Sequence, residues 1–218
     1  MKRKIRCGGK PMTAIVLAGG RGRRMKADKA SLDVGGRTLL EHVLAQVEPY
    51  FDEVLISISR GRDIALAAAR RTRRLGRQAP ARAKAPQLRI VPDETPGLGP
   101  IGGLLAGLKG ARNDVCAVVA CDIPEIDQPL LRSLARAAAS VEIAVGVDPA
   151  GRYEPLFAVY RRSIIPAIES LLARGEFSLL PLYKTCRTSV VALGDKGGLC
   201  NLNTRADYES YIRSIKGE

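Results

Sequence analysis

The sequence predicts an α/β protein built on a doubly wound, mostly parallel sheet with one antiparallel excursion. Three observations carry this. Short runs at residues 14–17, 53–58, 88–91 and 115–120 are mostly apolar, the first and last without interruption, as in strands buried on both faces. Segments with helical spacing separate them, which is the pattern of βαβ units with right-handed crossovers. A glycine-rich loop follows the first run, where open α/β sheets collect ligands.

Taken in order, the first strand runs straight into Gly19, Gly20 and Gly22 and a cluster of cations, Arg21, Arg23, Arg24 and Lys29. Residues 30–34 read as extended or irregular, with Gly35-Gly36 as a turn. Thr38-Leu-Leu-Glu41 has the form of a capping box, and Leu39, Val43 and Val47 recur at helical spacing until Pro49 ends the helix. His42 rides on that helix as a packing residue. Residues 53–58 form the second strand. The basic, alanine-rich segment 60–87 holds good helix formers over 63–75 and a Pro-, Ala- and Arg-rich loop over 76–86.

Residues 88–91 make a third, short strand entering Pro92-Asp93. Gly and Pro between Thr95 and Gly103 mark an ordered turn, with a helix beginning over 104–109. The run at 115–120 is the most apolar strand and is expected to be central, ending at Asp122. A helix over 128–139, a strand over 142–147 and a turn at 148–151 follow. Residues 156–160 pair back on the preceding strand as a hairpin with a long loop. Helices at 162–173 and 205–214 flank a last strand at 188–193. No internal repeat is visible.

The 218 residues suffice for one sizeable core, so residues 13–218 are expected to form a single domain behind a basic tail, 1–12. Aromatic residues are scarce, at 4%, and Trp is absent, so the core must rest on Ala, Val, Leu and Ile. No apolar run approaches the length of a membrane span, and the N-terminus lacks the apolar stretch of a secretory signal, which together predict a cytoplasmic protein. Of five cysteines none form a Cys-x-x-Cys pair and His42 is the sole histidine, which leaves a zinc site little to build on. Cys116 and Cys121 lie on or beside the most apolar run and are expected to be buried. The formal charge of +13 calls for an acidic partner.

The glycine loop supplies the chemistry that such a partner needs. Glycines let backbone N–H groups converge on an anion, while the Arg and Lys side chains add mobile countercharge. The loop is neither a P-loop, which requires Gly-Lys-Ser/Thr, nor a dinucleotide fingerprint, whose third glycine is here replaced by Met25. The whole pattern, Leu17-Ala-Gly-Gly-x-Gly-x-Arg-Met25 followed by Asp28-Lys29, resembles the signature of nucleotidyltransferases that join a nucleoside monophosphate to a phosphorylated acceptor. It is most similar to the molybdenum cofactor guanylyltransferases, which share a Rossmann-like, nucleotide-diphospho-sugar transferase fold. Val91-Pro-Asp93, Gly99-Pro-Ile-Gly-Gly103, Ala120-Cys-Asp-Ile-Pro124 and Asn201-Leu-Asn-Thr204 fit the same family in order and spacing.

The resemblance implies transfer of GMP from GTP to the phosphate of molybdopterin, with Mg²⁺ as cofactor and pyrophosphate as product. It assigns catalysis to Lys29, Arg24 and Asp122, with Asp122 as the metal ligand, and nucleotide binding to Leu17, Ala18, Gly19, Gly20, Lys29, Ser57, Asp93 and Asp122. Asn201 and Asn203 are assigned to the acceptor, and proteins of cofactor delivery are implied as partners. Glu154-Pro-Leu156 also resembles a family segment near the acceptor, without a definable role. Ser57 departs from the pattern, since the family commonly carries asparagine there.

Plainer alternatives exist for each residue. Asp122 could cap the following helix, Asp93 could serve only the turn after Pro92, and the two asparagines could be turn chemistry. The whole chain could instead transfer CMP to the same pterin, or another nucleotide to a sugar phosphate or phosphoacid. An RNA-binding relative driven by segment 60–84 is the reading from another class, and the lack of interleaved aromatics for base stacking argues against it.

Overall fold

The computed structural model describes residues 2–18, 29–59, 86–93, 97–193 and 199–217. Seven strands form its main sheet: β1 (Thr13–Leu17), β2 (Glu53–Ser59), β3 (Gln87–Asp93), β4 (Val115–Ala120), β5 (Ile143–Val147), β6 (Tyr153–Arg161) and β7 (Thr188–Ala192). Their spatial order is β7-β5-β6-β4-β1-β2-β3, with β4 at the centre as its composition predicts. Pairings β3 with β2, β2 with β1, β1 with β4 and β5 with β7 are parallel, whereas β6 runs antiparallel between β4 and β5.

Among the described residues six helices cover the faces: α1 (Leu39–Val47), α2 (Pro100–Gly110), α3 (Gln128–Ala137), α4 (Ile165–Ala173), the short α5 (Leu182–Thr185) and α6 (Arg205–Lys216). Because side chains alternate along a strand, β1 serves two cores. Ala14 and Val16 pack with Val43 and Leu44 of α1 and with Leu131 and Leu134 of α3. Ile15 and Leu17 pack with Leu104 and Leu108 of α2 and with Ile168 of α4.

The capping box is present: Thr38 accepts from the Glu41 N–H at 3.2 Å, and the Glu41 side chain accepts from the Thr38 N–H at 2.8 Å. Gly35 and Gly36 sit at φ 62° and 80°, the conformation that a tight hairpin between Asp33–Val34 and Arg37–Thr38 demands.

Several boundaries differ from the sequence reading. Helix α2 begins at Pro100, so the last four residues of the stretch read as an ordered turn, Pro100 to Gly103, are its first turn, since proline at the first helical position costs no hydrogen bond. Strand β3 extends to Asp93 and tolerates Pro92 because it lies at the sheet edge. Residues 6–11, read as part of a basic tail, form a hairpin, and Ile5, Cys7 and Met12 join the core. The loop before β6 is short, and α5 was not anticipated. The helix expected over 63–75 lies outside the described residues.

Helix α2 lies close against the sheet through its glycines. A Cβ on Gly107 would stand 2.6 Å from a methyl of Ile15, which is wholly buried. Gly107→Ala is therefore expected to lower stability by about 1–2 kcal/mol in urea unfolding, overpacking outweighing the gain in helix propensity. A stabilised variant would contradict this packing.

Glu48, beside α1, has a buried carboxylate oxygen that finds no hydrogen-bond partner among the described residues, and burial pushes its pKa up to about 7. Its folded pKa exceeds the unfolded one, so stability is greatest below the unfolded value and falls as pH rises through about 7. Between pH 5 and 8 the wild type should lose about 1 kcal/mol more unfolding free energy than Glu48→Gln, a figure reduced for the group's partial exposure. Equal pH dependence of the two would refute it.

Candidate active site

In a sheet of this winding the order reverses between β1 and β4, and the crevice above their carboxyl ends is the expected ligand site. The register places Leu17 of β1 beside Ala120 of β4 and Ser57 of β2. Beyond the strand ends, Cys121 N–H donates to the Leu17 carbonyl at 3.0 Å and Ala18 N–H to the Ser57 carbonyl at 2.9 Å, so the ladder continues into the site.

Asp122 follows β4 by two residues, and its backbone is held from two sides. The Leu202 N–H donates to the Asp122 carbonyl at 2.8 Å, and the Ile123 N–H to that of Ala120 at 3.2 Å. Gln46 of α1 fixes the rest of the loop, donating to the Pro124 carbonyl at 2.6 Å and accepting from the Ile126 N–H at 3.1 Å. The cap of the following helix is Asp127, which accepts from the Leu130 N–H at 2.9 Å. Asp122 is thus left for other use.

Its carboxylate meets the Lys29 ammonium at 2.9 Å, with both side chains largely shielded from solvent. Lys29, in a single helical turn over Lys29–Ser31, also donates to Asn203 Oδ1 at 3.0 Å. An ammonium has three donors, of which two are engaged among the described residues. Asn203 is held by its own loop: Asp207 accepts from the N–H groups of Asn203 and Thr204 at 3.0 and 2.7 Å, completing a capping box on α6. Buried Leu202 anchors the loop against Leu39, Val34 and Tyr211.

Asn201 points elsewhere. Its Nδ2 donates to Glu154 Oε2 at 3.2 Å, and both line a polar cleft of about 280 Å³ together with Asp148, Arg152 and Tyr153. Leu193 and Leu199 also line that cleft. Burial raises the pKa of Glu154, and the charges of Asp122 and Asp148 raise it further against the lowering effect of hydrogen bonds from Asn201 and the Leu156 N–H.

The structure therefore brings Lys29, Asp122, Asn201 and Asn203 to one end of the sheet. Ser57 and Asp93 lie on the same rim but under the first turn of α2, where a Cβ on Gly102 would stand 2.8 Å from an Asp93 oxygen and one on Gly103 would stand 3.1 Å from Ser57 Oγ. Both side chains are buried, and Ser57 Oγ has no hydrogen-bond partner among the described residues. Ser57 lies inside β2 rather than at its end. Gly19, Gly20 and Arg24 lie outside the described residues. Gln46 was missed from sequence, because it looks like any polar helix residue, whereas Glu154 was singled out without a definable role, and its contact with Asn201 and its place inside β6 come from the fold.

The sole histidine, His42, is turned away, its Nε2 3.2 Å from the Tyr211 hydroxyl, and burial lowers its pKa. Cys116 is fully buried and its pKa is raised by burial, which keeps it a thiol. Among the described residues no group of three His, Cys, Asp or Glu could hold a metal, and no helix is long and apolar enough to cross a membrane.

A lysine and a carboxylate paired at the switch point suit reactions between groups that are already anionic. This is the class of α/β nucleotidyltransferases. The chain belongs to the MobA-like NTP transferase family, whose domain matches residues 14–187. It is 37% identical over 170 residues to a molybdenum cofactor guanylyltransferase of Pseudomonas putida, covering 78% of this chain and 80% of that one. The molybdopterin-guanine dinucleotide biosynthesis protein A of Archaeoglobus fulgidus has a similar fold, with a TM-score of 0.71 and 23% identity over 95% of this chain and all of that one. A Mycobacterium tuberculosis protein solved in complex with manganese superposes over 94% of this chain and all of its own, with a TM-score of 0.61 and 18% identity.

Proposed function

We propose that the protein transfers GMP from GTP to the terminal phosphate of molybdopterin, the activity of a molybdenum cofactor guanylyltransferase. The observation that carries this is the Lys29, Asp122 and Asn203 cluster at the β1/β4 switch point. In the reaction, an acceptor phosphate oxygen bonds to the α-phosphorus of GTP, the bond from that phosphorus to the β-bridging oxygen breaks, and pyrophosphate leaves. The nucleophile is an anion from the outset, so alignment and charge neutralisation are what the protein must provide.

Lys29 offers a donor to a phosphoryl oxygen, held in place by Asp122 and Asn203. Arg24 and the amides of Gly19 and Gly20 are assigned to the same phosphates on the strength of their place in the loop. A lone strand-end carboxylate fits Mg²⁺, which keeps several waters and needs only one or two carboxylates beside the phosphates; Asp122 would hold it. When bound, the ion supplies further neutralisation of the phosphoryl charge.

Ser57 and Asp93 are assigned to the nucleotide at the β2 and β3 side of the rim. Guanine presents N1–H and N2–H₂ as adjacent donors, which a carboxylate accepts, whereas cytosine presents an acceptor there. Asn201 and Asn203 are assigned to the acceptor side.

Incubating the protein with molybdopterin, Mg²⁺ and each of the four triphosphates tests the base assignment through pyrophosphate release. GTP is expected to exceed CTP by at least roughly 10-fold, since an unmatched buried polar group costs about 1–3 kcal/mol. Dominant release from CTP would overturn the base assignment and leave nucleotidyl transfer standing.

A further inference from the structure

We propose that the cleft lined by Glu154, Tyr153 and Asn201 seats the pterin ring of the acceptor, with Glu154 as the residue that reads it; this rests on the acceptor assigned above. A 2-amino-4-oxopterin carries two coplanar donors side by side, N3–H and the 2-amino group. A carboxylate is the side chain that accepts both at once.

The backbone is shaped to deliver that carboxylate. Glu154 pairs with Gly146 of β5, but the next pair is Ala158 with Val145, so residues 155–157 have no partner on β5. Such a bulge turns a side chain out of the ladder, and Pro155 within it has no N–H to restore the pairing. The bulge is pinned from below: the buried Tyr160 hydroxyl donates to the Pro155 carbonyl at 2.8 Å and lies 3.1 Å from the Tyr183 hydroxyl. Glu154 is then oriented by hydrogen bonds from the Asn201 amide and the Leu156 N–H, which together leave about two of the carboxylate's four lone-pair sites open.

The walls suit a flat ring. Tyr153 is 39% exposed, and its ring is backed by that of Tyr183 at 4.6 Å between centroids, which gives a rigid aromatic face beside the carboxylate. The volume of about 280 Å³ accommodates one bicyclic ring better than a whole nucleotide. Phosphate is a poor occupant, because Arg152 is already bound to Asp148 at 2.7 Å and Glu154 repels anions. The loop that carries Asn201 continues through Leu202, on the Asp122 carbonyl, to Asn203, on Lys29. An acceptor with its ring in the cleft can therefore extend its phosphate along this loop to the reacting centre.

The test measures pyrophosphate release from GTP with molybdopterin for the wild type and Glu154→Gln, alongside equilibrium binding of GTP. Gln offers one acceptor and adds donors that oppose those of the ring. The expected result is a KM for molybdopterin raised by about 10- to 100-fold, with GTP affinity and kcat at saturating acceptor close to wild type. An unchanged acceptor KM in an active variant overturns the proposal. If the variant does not fold, competition in the wild type decides: 6-hydroxymethylpterin should inhibit competitively against molybdopterin, and 6-hydroxymethyllumazine, with oxygen in place of the 2-amino group, at least roughly 10-fold more weakly. Equal inhibition by the two, or none by either, overturns it. A wild type that releases no pyrophosphate from GTP with molybdopterin fails the acceptor assignment itself, while pterin competition for binding still reads the cleft.

Discussion

Asp122→Asn is expected to reduce turnover by about 10²-fold or more while the protein keeps its fold. The amide has the shape of the carboxylate, and the contacts that hold this loop are made by backbone and by Gln46, not by the Asp122 side chain. What disappears is charge. Lys29 loses its counter-ion at 2.9 Å and retains only Asn203, and the end of β4 can no longer attract a divalent cation. Thermal unfolding and circular dichroism should match the wild type, so the loss is attributable to chemistry. Turnover near the wild-type level at saturating Mg²⁺ would remove Asp122 from the mechanism.

Lys29→Ala is expected to cost a similar factor, about 10²-fold in kcat, because a preorganised positive donor acts most where phosphoryl charge is redistributed in the transition state. Lys29 joins the residue at the end of β4 to the loop before α6, so its removal also frees Asn203 and Asp122 to drift apart. Lys29→Arg should recover only part of the activity, since a planar fork does not reproduce a point charge between two partners. Replacing single arginines between Arg60 and Arg82 should have far smaller effects. Steady-state kinetics of the set distinguishes these, and an Arg60–Arg82 variant more impaired than Lys29→Ala would contradict the ranking.

Much of this fold was legible where strands are nearly pure aliphatic runs, as in β1 and β4. Burial on both faces left the composition of β1 and β4 no other reading: β4 was expected at the centre of the sheet and keeps its limits, while β1 begins one residue earlier than read, at Thr13. The capping box at Thr38 was equally legible, because it depends on residues three apart in the chain. Boundaries failed where a rule has a positional exception: Pro100 opens a helix instead of marking a turn, and Pro92 sits in an edge strand instead of ending it. The N-terminal charges concealed the buried Ile5, Cys7 and Met12, which a reading of net charge passes over.

The site was legible in its strand-end members and hidden in its long-range ones. Lys29, Asp122 and Asn203 carried motif signals, but the fact that a single ammonium joins them spans up to 174 positions of the chain and belongs to the fold alone. Gln46 and Glu154 act through contacts across shorter but still non-local gaps of 78 and 47 positions. Ser57 was expected at an open strand end and instead lies beneath the backbone of α2, where Gly103 makes room for its hydroxyl.

The central claim is that this cluster moves a guanylyl group onto a phosphate, and following the α-phosphorus tests it most directly. GTP labelled at the α-phosphate, incubated with the protein, Mg²⁺ and molybdopterin, should yield the label in a single product with the mass of molybdopterin guanine dinucleotide, with one pyrophosphate released per label transferred. Label that stays in GTP, or appears as free GMP or GDP while the acceptor remains unmodified, would contradict the account.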